Sequence, residues 1–120
     1  MTYINNKRDA NEAAILEIFK AAGGEWEQTQ VGHDGYLHLK GMSFVIEVKN
    51  GNAPLTKDEV LFKNRIERTG VRYWIIRNEQ MAAALINAEY SRIPDEIWIV
   101  ENDKPRRIDK NSAIEWRMGA

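Results

Sequence analysis

The run Phe44-Val45-Ile46-Glu47-Val48-Lys49 sets a carboxylate and an ammonium among apolar neighbours, where a charged group is costly unless it has a partner or a task. A stretch of this composition reads as a strand buried on both faces, and residues two apart on a strand project to the same side. Glu47 and Lys49 therefore stand together at one end of a sheet. Asp34 lies 13 residues before Glu47, in the turn Gly32-His33-Asp34-Gly35, and antiparallel pairing of 36–39 with 43–49 brings the two carboxylates together. Close carboxylates repel, and a divalent cation relieves the repulsion; Mg²⁺ is commonly held by one or two carboxylates plus water and phosphate oxygens. Lys49, a compact and movable cation, then orients an attacking water or stabilises charge developing on phosphorus. Glu12 precedes Ile15, Leu16 and Phe19 by 3, 4 and 7 residues, which places it on the inward stripe of a helix.

Plainer readings stand beside these. Glu47 and Lys49 make a same-face or cross-strand ion pair at a sheet edge, Asp34 is ordinary turn chemistry, and Glu12 pairs with Lys7, Arg8 or Lys49. His33 and His38 do not have the spacing of a metal site and read as surface or turn histidines. Trp26, Trp74 and Trp98 fall in strand patterns and read as core, whereas Trp116 fits either a core or a surface role.

The elements that must position these groups are readable from periodicity and punctuation. Ala13, Ala14, Ile15, Leu16, Phe19 and Ala22 recur at helical spacing and predict a helix from about Asp9 to Ala22, stopped by Gly23-Gly24. Strands are predicted over 25–31, 36–39 and 43–49, the last two joined by Lys40-Gly41-Met42. Thr56-x-x-Glu59 is a capping box that opens a helix carrying Leu61, Phe62 and Ile66 and ending at Gly70. Val71 to Arg77 is a strand, so the unit is a β-α-β crossover with parallel strands. Asn78 caps a helix through Ala88, Ile97 to Glu101 is a last strand, and a short helix follows Ser112. The predicted order is α-β-β-β-α-β-α-β, an α/β fold with a mixed sheet flanked by helices.

Length and composition bound the rest. A chain of 120 residues, 43% hydrophobic and 29% charged, fits one soluble domain, with its core in 9–88 and a polar extension over 102–120 that carries Lys104, Arg106, Arg107 and Lys110. No apolar run approaches the roughly 20 residues needed to span a bilayer, Met1 to Arg8 is polar, and there is no Cys for a disulfide, thiolate or nucleophile. The expected location is the cytoplasm, with no membrane partner. The net charge of −1 is unevenly spread: 3 basic against 6 acidic side chains over 1–39, 7 against 4 over 40–72, and 7 against 8 over 73–120.

Together these residues resemble the PD-(D/E)xK nucleases of the restriction-endonuclease-like fold, in particular the virus-type replication-repair nuclease (VRR-NUC) branch. The resemblance runs from Asn11 to about Leu85. Asn11-Glu12-Ala13-Ala14-Ile15 is similar to the family's N-terminal acidic motif, Asp34 takes the place of its metal-binding Asp, and Ile46-Glu47-Val48-Lys49 matches its (D/E)xK strand. Leu55-Thr56 with the following helix, then Val71 to Arg77, is similar to the family's next helix and strand. His33 stands where the motif often has Pro. Glu59 stands about where relatives carry a Gln contacting the site, and is assigned here to the cap alone.

The resemblance implies a restriction-endonuclease-like core and a Mg²⁺- or Mn²⁺-dependent nuclease in which Asp34, Glu47 and the main-chain carbonyl of Val48 hold metal. Lys49 assists the attacking water, and Glu12 either touches the ion or supports the ligands from behind. Lys40, Lys57, Lys63, Arg65, Arg68 and Arg72 are the basic side chains expected to contact phosphates without reading sequence. A domain this small offers little surface for reading bases, so branched or flapped DNA is the expected substrate in replication, recombination or repair. Symmetric junctions need two cuts, which makes a homodimer the expected assembly. The alternative is a nucleic-acid-binding module that keeps the fold without the activity.

Overall fold

Gly23 and Gly24 end the first helix: Gly23 adopts φ +87°, its N–H bonds the Lys20 carbonyl at 2.9 Å, and Gly24 N–H bonds the Phe19 carbonyl at 2.9 Å. This helix, α1, spans Asn6–Ala21. The structure, a computed structural model, describes the backbone of residues 6–29, 33–109 and 111, and side chains from Asn11 onward within those ranges. The helix predicted after Ser112, Trp116, Lys110 and the Gly32 end of the 32–35 turn lie outside the described residues, as does the predicted continuation of the first strand past Thr29.

Strand β1 (Glu25–Gln28) pairs antiparallel with β2 (Gly35–Leu39), which pairs antiparallel with β3 (Met42–Val48). The β2–β3 turn is two residues, Lys40 and Gly41, at φ 52° and 80°. Both central residues at positive φ make the tight hairpin turn whose twist matches its strands. That turn sets the register: Gly35 lies opposite Ile46 and Leu39 opposite Met42. After β3 the chain crosses through α2 (Lys57–Glu67) to β4 (Tyr73–Ile76), which lies parallel to β3. The predicted β-α-β unit is thus present, and the four strands form one mixed sheet in the order β1-β2-β3-β4. Helix α3 (Glu79–Ile86) follows, capped by Asn78, whose side chain accepts the Met81 N–H.

Alternation along β3 divides the core in two. Phe44, Ile46 and Val48 face α1 and α3, packing with Ile15, Phe19, Leu37, Trp74, Ile76 and Leu85. Val45 and, from β4, Tyr73 and Ile75 face α2, packing with Leu55, Val60 and Trp98. Trp74 and Trp98 are buried and Trp26 packs partly buried against Phe19, consistent with their reading as core. The protein is a compact α/β fold; among the described residues it has the three α-helices α1 to α3, and no helix is long and apolar enough to cross a membrane.

The C-terminal part departs from expectation. Residues 104–108, assigned above to a polar extension, form β6 (Lys104–Ile108), paired antiparallel with β5 (Ile97–Glu101) in a separate two-stranded sheet. The order is therefore α-β-β-β-α-β-α-β-β. Asn102 and Asp103 form the turn at φ 53° and 64°, the same positive-φ pair as Lys40-Gly41. Asn and Asp tolerate that conformation, so a hairpin signal was present at this point. The basic residues of β6 disguised it, because a strand lying on the surface needs no apolar alternation.

Candidate active site

Register brings Asp34 and Glu47 together. With Gly35 opposite Ile46, Asp34 N–H bonds the Ile46 carbonyl at 3.1 Å, and its Oδ2 accepts the Val48 N–H at 2.6 Å. The Asp34 carbonyl accepts Thr29 N–H at 2.8 Å and Gln28 Nε2 at 2.8 Å, which clamps the turn from β1. The N–H and C=O of one strand residue point to the same edge. The Val48 carbonyl therefore faces the Asp34 edge, the position expected of a main-chain ligand.

Glu47 is only 1% exposed. Its Oε1 accepts the Tyr73 hydroxyl at 2.8 Å, and its Oε2 is buried with no hydrogen-bond donor. Burial first, then the nearby charges of Asp34 and Glu59, push its pKa from 4.5 up to about 9, against a smaller opposing effect of Tyr73 and Lys49. Glu47 thus holds a proton at neutral pH. That proton lets Glu47 share a hydrogen bond with the Glu59 carboxylate, one of the effects that lower the Glu59 pKa.

Lys49 is buried as well, and its Nζ lies 2.8 Å from Glu59 Oε1. Glu59 also closes the capping box, with Thr56 N–H donating to Glu59 Oε1 at 2.8 Å and Glu59 N–H to Thr56 Oγ1 at 3.2 Å. Burial alone would raise the Glu59 pKa; hydrogen bonds from Lys49 and Thr56 and the Lys49 charge outweigh it, and the net shift is downward. Assigning Glu59 to the cap alone was therefore incomplete. The carboxylate has two oxygens and more than one lone pair, so one side chain serves the cap and the lysine together. The signal available was its place near the start of a helix that returns over the Glu47-Lys49 strand.

Asp34, Glu47 and Glu59 line an open cleft of about 270 Å³, bounded also by Thr29, His33, Thr56 and Asp58. His33, expected at the surface or in a turn, lies in the bend leading into β2 but is buried; its ring stacks on Phe62 with centroids 5.2 Å apart and meets Tyr36 edge-on at 4.6 Å. His38 is on the surface, between Ser43 Oγ at 2.7 Å and Glu27 Oε1 at 2.8 Å. From α1, Asn11 Nδ2 donates to the Lys49 carbonyl at 3.3 Å. Glu12 follows it, half-buried, while the side chains of Lys7 and Arg8 lie outside the described residues.

The expected phosphate-contacting set is thinned. Lys63 is buried and bonds Glu67 Oε1 at 2.6 Å, so it presents no ammonium at the surface. Arg72 lies 3.8 Å over the Trp74 ring and donates to the Ile93 carbonyl at 3.0 Å, a fit that employs both its plane and its donors. Lys57 is paired with Asp103. Lys40 is exposed at the hairpin tip, the length of β2 away from Asp34, on the order of 16 Å. Arg65 and Arg68 are exposed near the C-terminal end of α2, with Arg65 over the Phe62 ring at 5.3 Å.

Comparison with family models, curated proteins and solved structures finds no match to this chain. The chemistry of the cleft thus rests on its own residues. Among those described, no group of three or more His, Cys, Asp or Glu side chains converges to hold an ion. A hard divalent cation needs fewer: two carboxylates and a carbonyl, completed by water, suit Mg²⁺ or Mn²⁺. The buried, donorless Glu47 Oε2 fits such an ion. Because Glu47 must lose its proton to bind it, binding is expected to release a proton, and affinity to rise about tenfold per pH unit from pH 6 towards 9. Calorimetry in buffers of different ionisation enthalpy measures this, and a pH-independent affinity would exclude Glu47 as the ligand.

Proposed function

We propose that this protein is a Mg²⁺- or Mn²⁺-dependent nuclease that hydrolyses phosphodiester bonds in DNA, on a restriction-endonuclease-like core of the virus-type replication-repair branch. The observation that carries the proposal is the buried Glu47 side chain with an undonated oxygen, lining one cleft with Asp34 and close enough to Lys49 to feel its charge. Asp34, Glu47 and the Val48 carbonyl would hold the metal. Such an ion supplies Lewis-acid polarisation of a phosphoryl oxygen and a more acidic bound water.

The chain's own groups do the rest. The Asp34 turn is locked by Val48 N–H and the β1 clamp, so its carboxylate does not have to be ordered when substrate arrives. Lys49 places a positive charge beside the carboxylates, held by Glu59 until a phosphate competes for it. Arg65 and Arg68 supply exposed charge for backbone phosphates without base readout. A cleft this open, on a domain this small, suits DNA whose shape presents a phosphate, such as a junction or flap. Two such domains as a homodimer would supply the two cuts a symmetric junction needs.

The test incubates purified protein with branched, flapped, linear and single-stranded DNA, with and without Mn²⁺, beside Lys49→Ala. Wild type is expected to cut at least one branched substrate only with metal, and Lys49→Ala to cut it about a hundred- to a thousandfold more slowly. Wild type and variant equally inert on every substrate would leave the alternative, a nucleic-acid-binding module without activity. That alternative draws on one observation, that Lys49 is engaged by Glu59.

A further inference from the structure

We infer that Tyr73 is a positioning residue that sets the ion selectivity of the cleft, by leaving Glu47 a single oxygen with which to hold a cation. This rests on the metal-dependent reading above. Val45 lies opposite Tyr73 and Glu47 opposite Ile75 in the parallel β3–β4 pair, so Tyr73 is diagonal to Glu47 and on the same face of the sheet. Its hydroxyl donates to Glu47 Oε1 at 2.8 Å. Both side chains are buried, Tyr73 at 2% exposure and Glu47 at 1%, and the Phe62 ring packs edge-on against the phenol at 6.0 Å. Leu55, Val60, Ile75 and Trp98 share that part of the core with Tyr73, so Oε1 is tied at the end of the carboxylate that faces apolar side chains. Oε2 has no donor, and Glu47 lines the cleft.

A carboxylate pinned in this way offers an ion one oxygen. Turning both oxygens to the cleft would break the buried Tyr73–Glu47 hydrogen bond. Mg²⁺ and Mn²⁺ accept one-oxygen carboxylates in an octahedral shell completed by water, whereas Ca²⁺ takes more oxygens and often grips a carboxylate by both. The Tyr73–Glu47 bond therefore discriminates against Ca²⁺, and Tyr73→Phe removes the discrimination while keeping the ring.

Titration calorimetry of Mg²⁺, Mn²⁺ and Ca²⁺ on the full chain, wild type and Tyr73→Phe, reads this directly, with circular dichroism to check the fold. Tyr73→Phe is expected to bind Mg²⁺ and Mn²⁺ about tenfold more weakly and Ca²⁺ no more weakly than wild type, so that the Mg²⁺-to-Ca²⁺ ratio falls about tenfold. A ratio within twofold of wild type, with metal still bound, overturns the role of Tyr73 and leaves the metal-dependent reading intact. No binding of any of the three ions to wild type overturns that reading itself. A second measurement needs no Tyr73 variant: infrared difference spectra of wild type loaded with Ca²⁺, referenced to Glu47→Gln. A wide separation of the Glu47 antisymmetric and symmetric carboxylate stretches is expected for one-oxygen binding, and a narrow one overturns the inference.

Discussion

Glu47→Gln is expected to make the metal-free protein more stable at pH 8 while removing its response to Mg²⁺ and Mn²⁺. In the folded wild type Glu47 holds its proton up to about pH 9, whereas in the unfolded chain it ionises near 4.5. Folding at pH 8 therefore takes up a proton. A raised folded pKa contributes stability that is full below about 4.5 and is lost as pH rises through about 9. Gln has no proton to take up, still accepts from the Tyr73 hydroxyl, and can donate its amide towards Glu59. The gain at pH 8 should be about 3 kcal/mol, or roughly 10 °C in Tm, shrinking towards zero near pH 5. Metal affinity should fall at least about a hundredfold. Thermal melts at pH 5 and 8, with and without Mn²⁺, measure both effects. A difference between the proteins that is the same at both pH values would show that Glu47 is not protonated in the fold.

The second large effect lies outside the cleft. Arg77 and Glu96 are both buried and meet in a two-pronged ion pair, Nε to Oε2 at 2.8 Å and Nη2 to Oε1 at 3.0 Å. Arg77 Nη1 also donates to the Gly51 and Ala53 carbonyls at 2.8 and 2.7 Å, and Trp98 Nε1 donates to Glu96 Oε1 at 3.0 Å. The network fastens the loop between β3 and α2 to the end of β4 and the start of β5. Glu96→Gln leaves the Arg77 charge in the interior without its counter-ion, at an expected cost of about 3–5 kcal/mol by urea denaturation. Loss of less than about 1 kcal/mol would mean that water reaches Arg77 after the change. Burial raises the Glu96 pKa, but Arg77 and Trp98 outweigh it and the net shift is downward. A depressed carboxyl pKa contributes stability that disappears as pH falls below the ordinary value, so wild type should weaken in acid more steeply than Glu96→Gln. Replacing both partners, as Arg77→Met with Glu96→Leu, should recover most of the loss.

Glu47 and Glu96 differ because their partners differ. Each is nearly or fully inaccessible, yet Glu96 faces a guanidinium and Glu47 faces two other carboxylates. The first arrangement is structural and complete as it stands. The second is relieved by a proton on Glu47 and by the Lys49 ammonium, and under the proposed function a cation would take the place of that proton.

Several elements were legible because their signals are local. The Gly23-Gly24 stop, the Thr56–Glu59 box, the Asn78 cap and the Lys40-Gly41 turn each act within about four residues. The β-α-β crossover followed from the lengths of its parts. The β5–β6 hairpin was missed although Asn102-Asp103 is a turn sequence, since Lys104, Arg106 and Arg107 read as a solvated tail. The partners of Lys63, Arg72 and His33 were not legible, for a common reason. Spacing tells which side of an element a residue takes, and it cannot tell what the partner element brings to meet it: Glu67 for Lys63, the Trp74 ring for Arg72, the Phe62 ring for His33.

The candidate site divides along the same line. The sequence by itself determined that Glu47 and Lys49 share one face of a buried strand, because side chains alternate with period two, and that an acid precedes them at hairpin distance. Only the tertiary structure decided that Asp34 meets Glu47, since a one-residue slip in the β2–β3 register would turn the pair apart. It also decided that Tyr73 holds one Glu47 oxygen and that Glu59 holds Lys49. Both contacts cross between elements distant in the chain, and packing alone brings them within hydrogen-bonding reach.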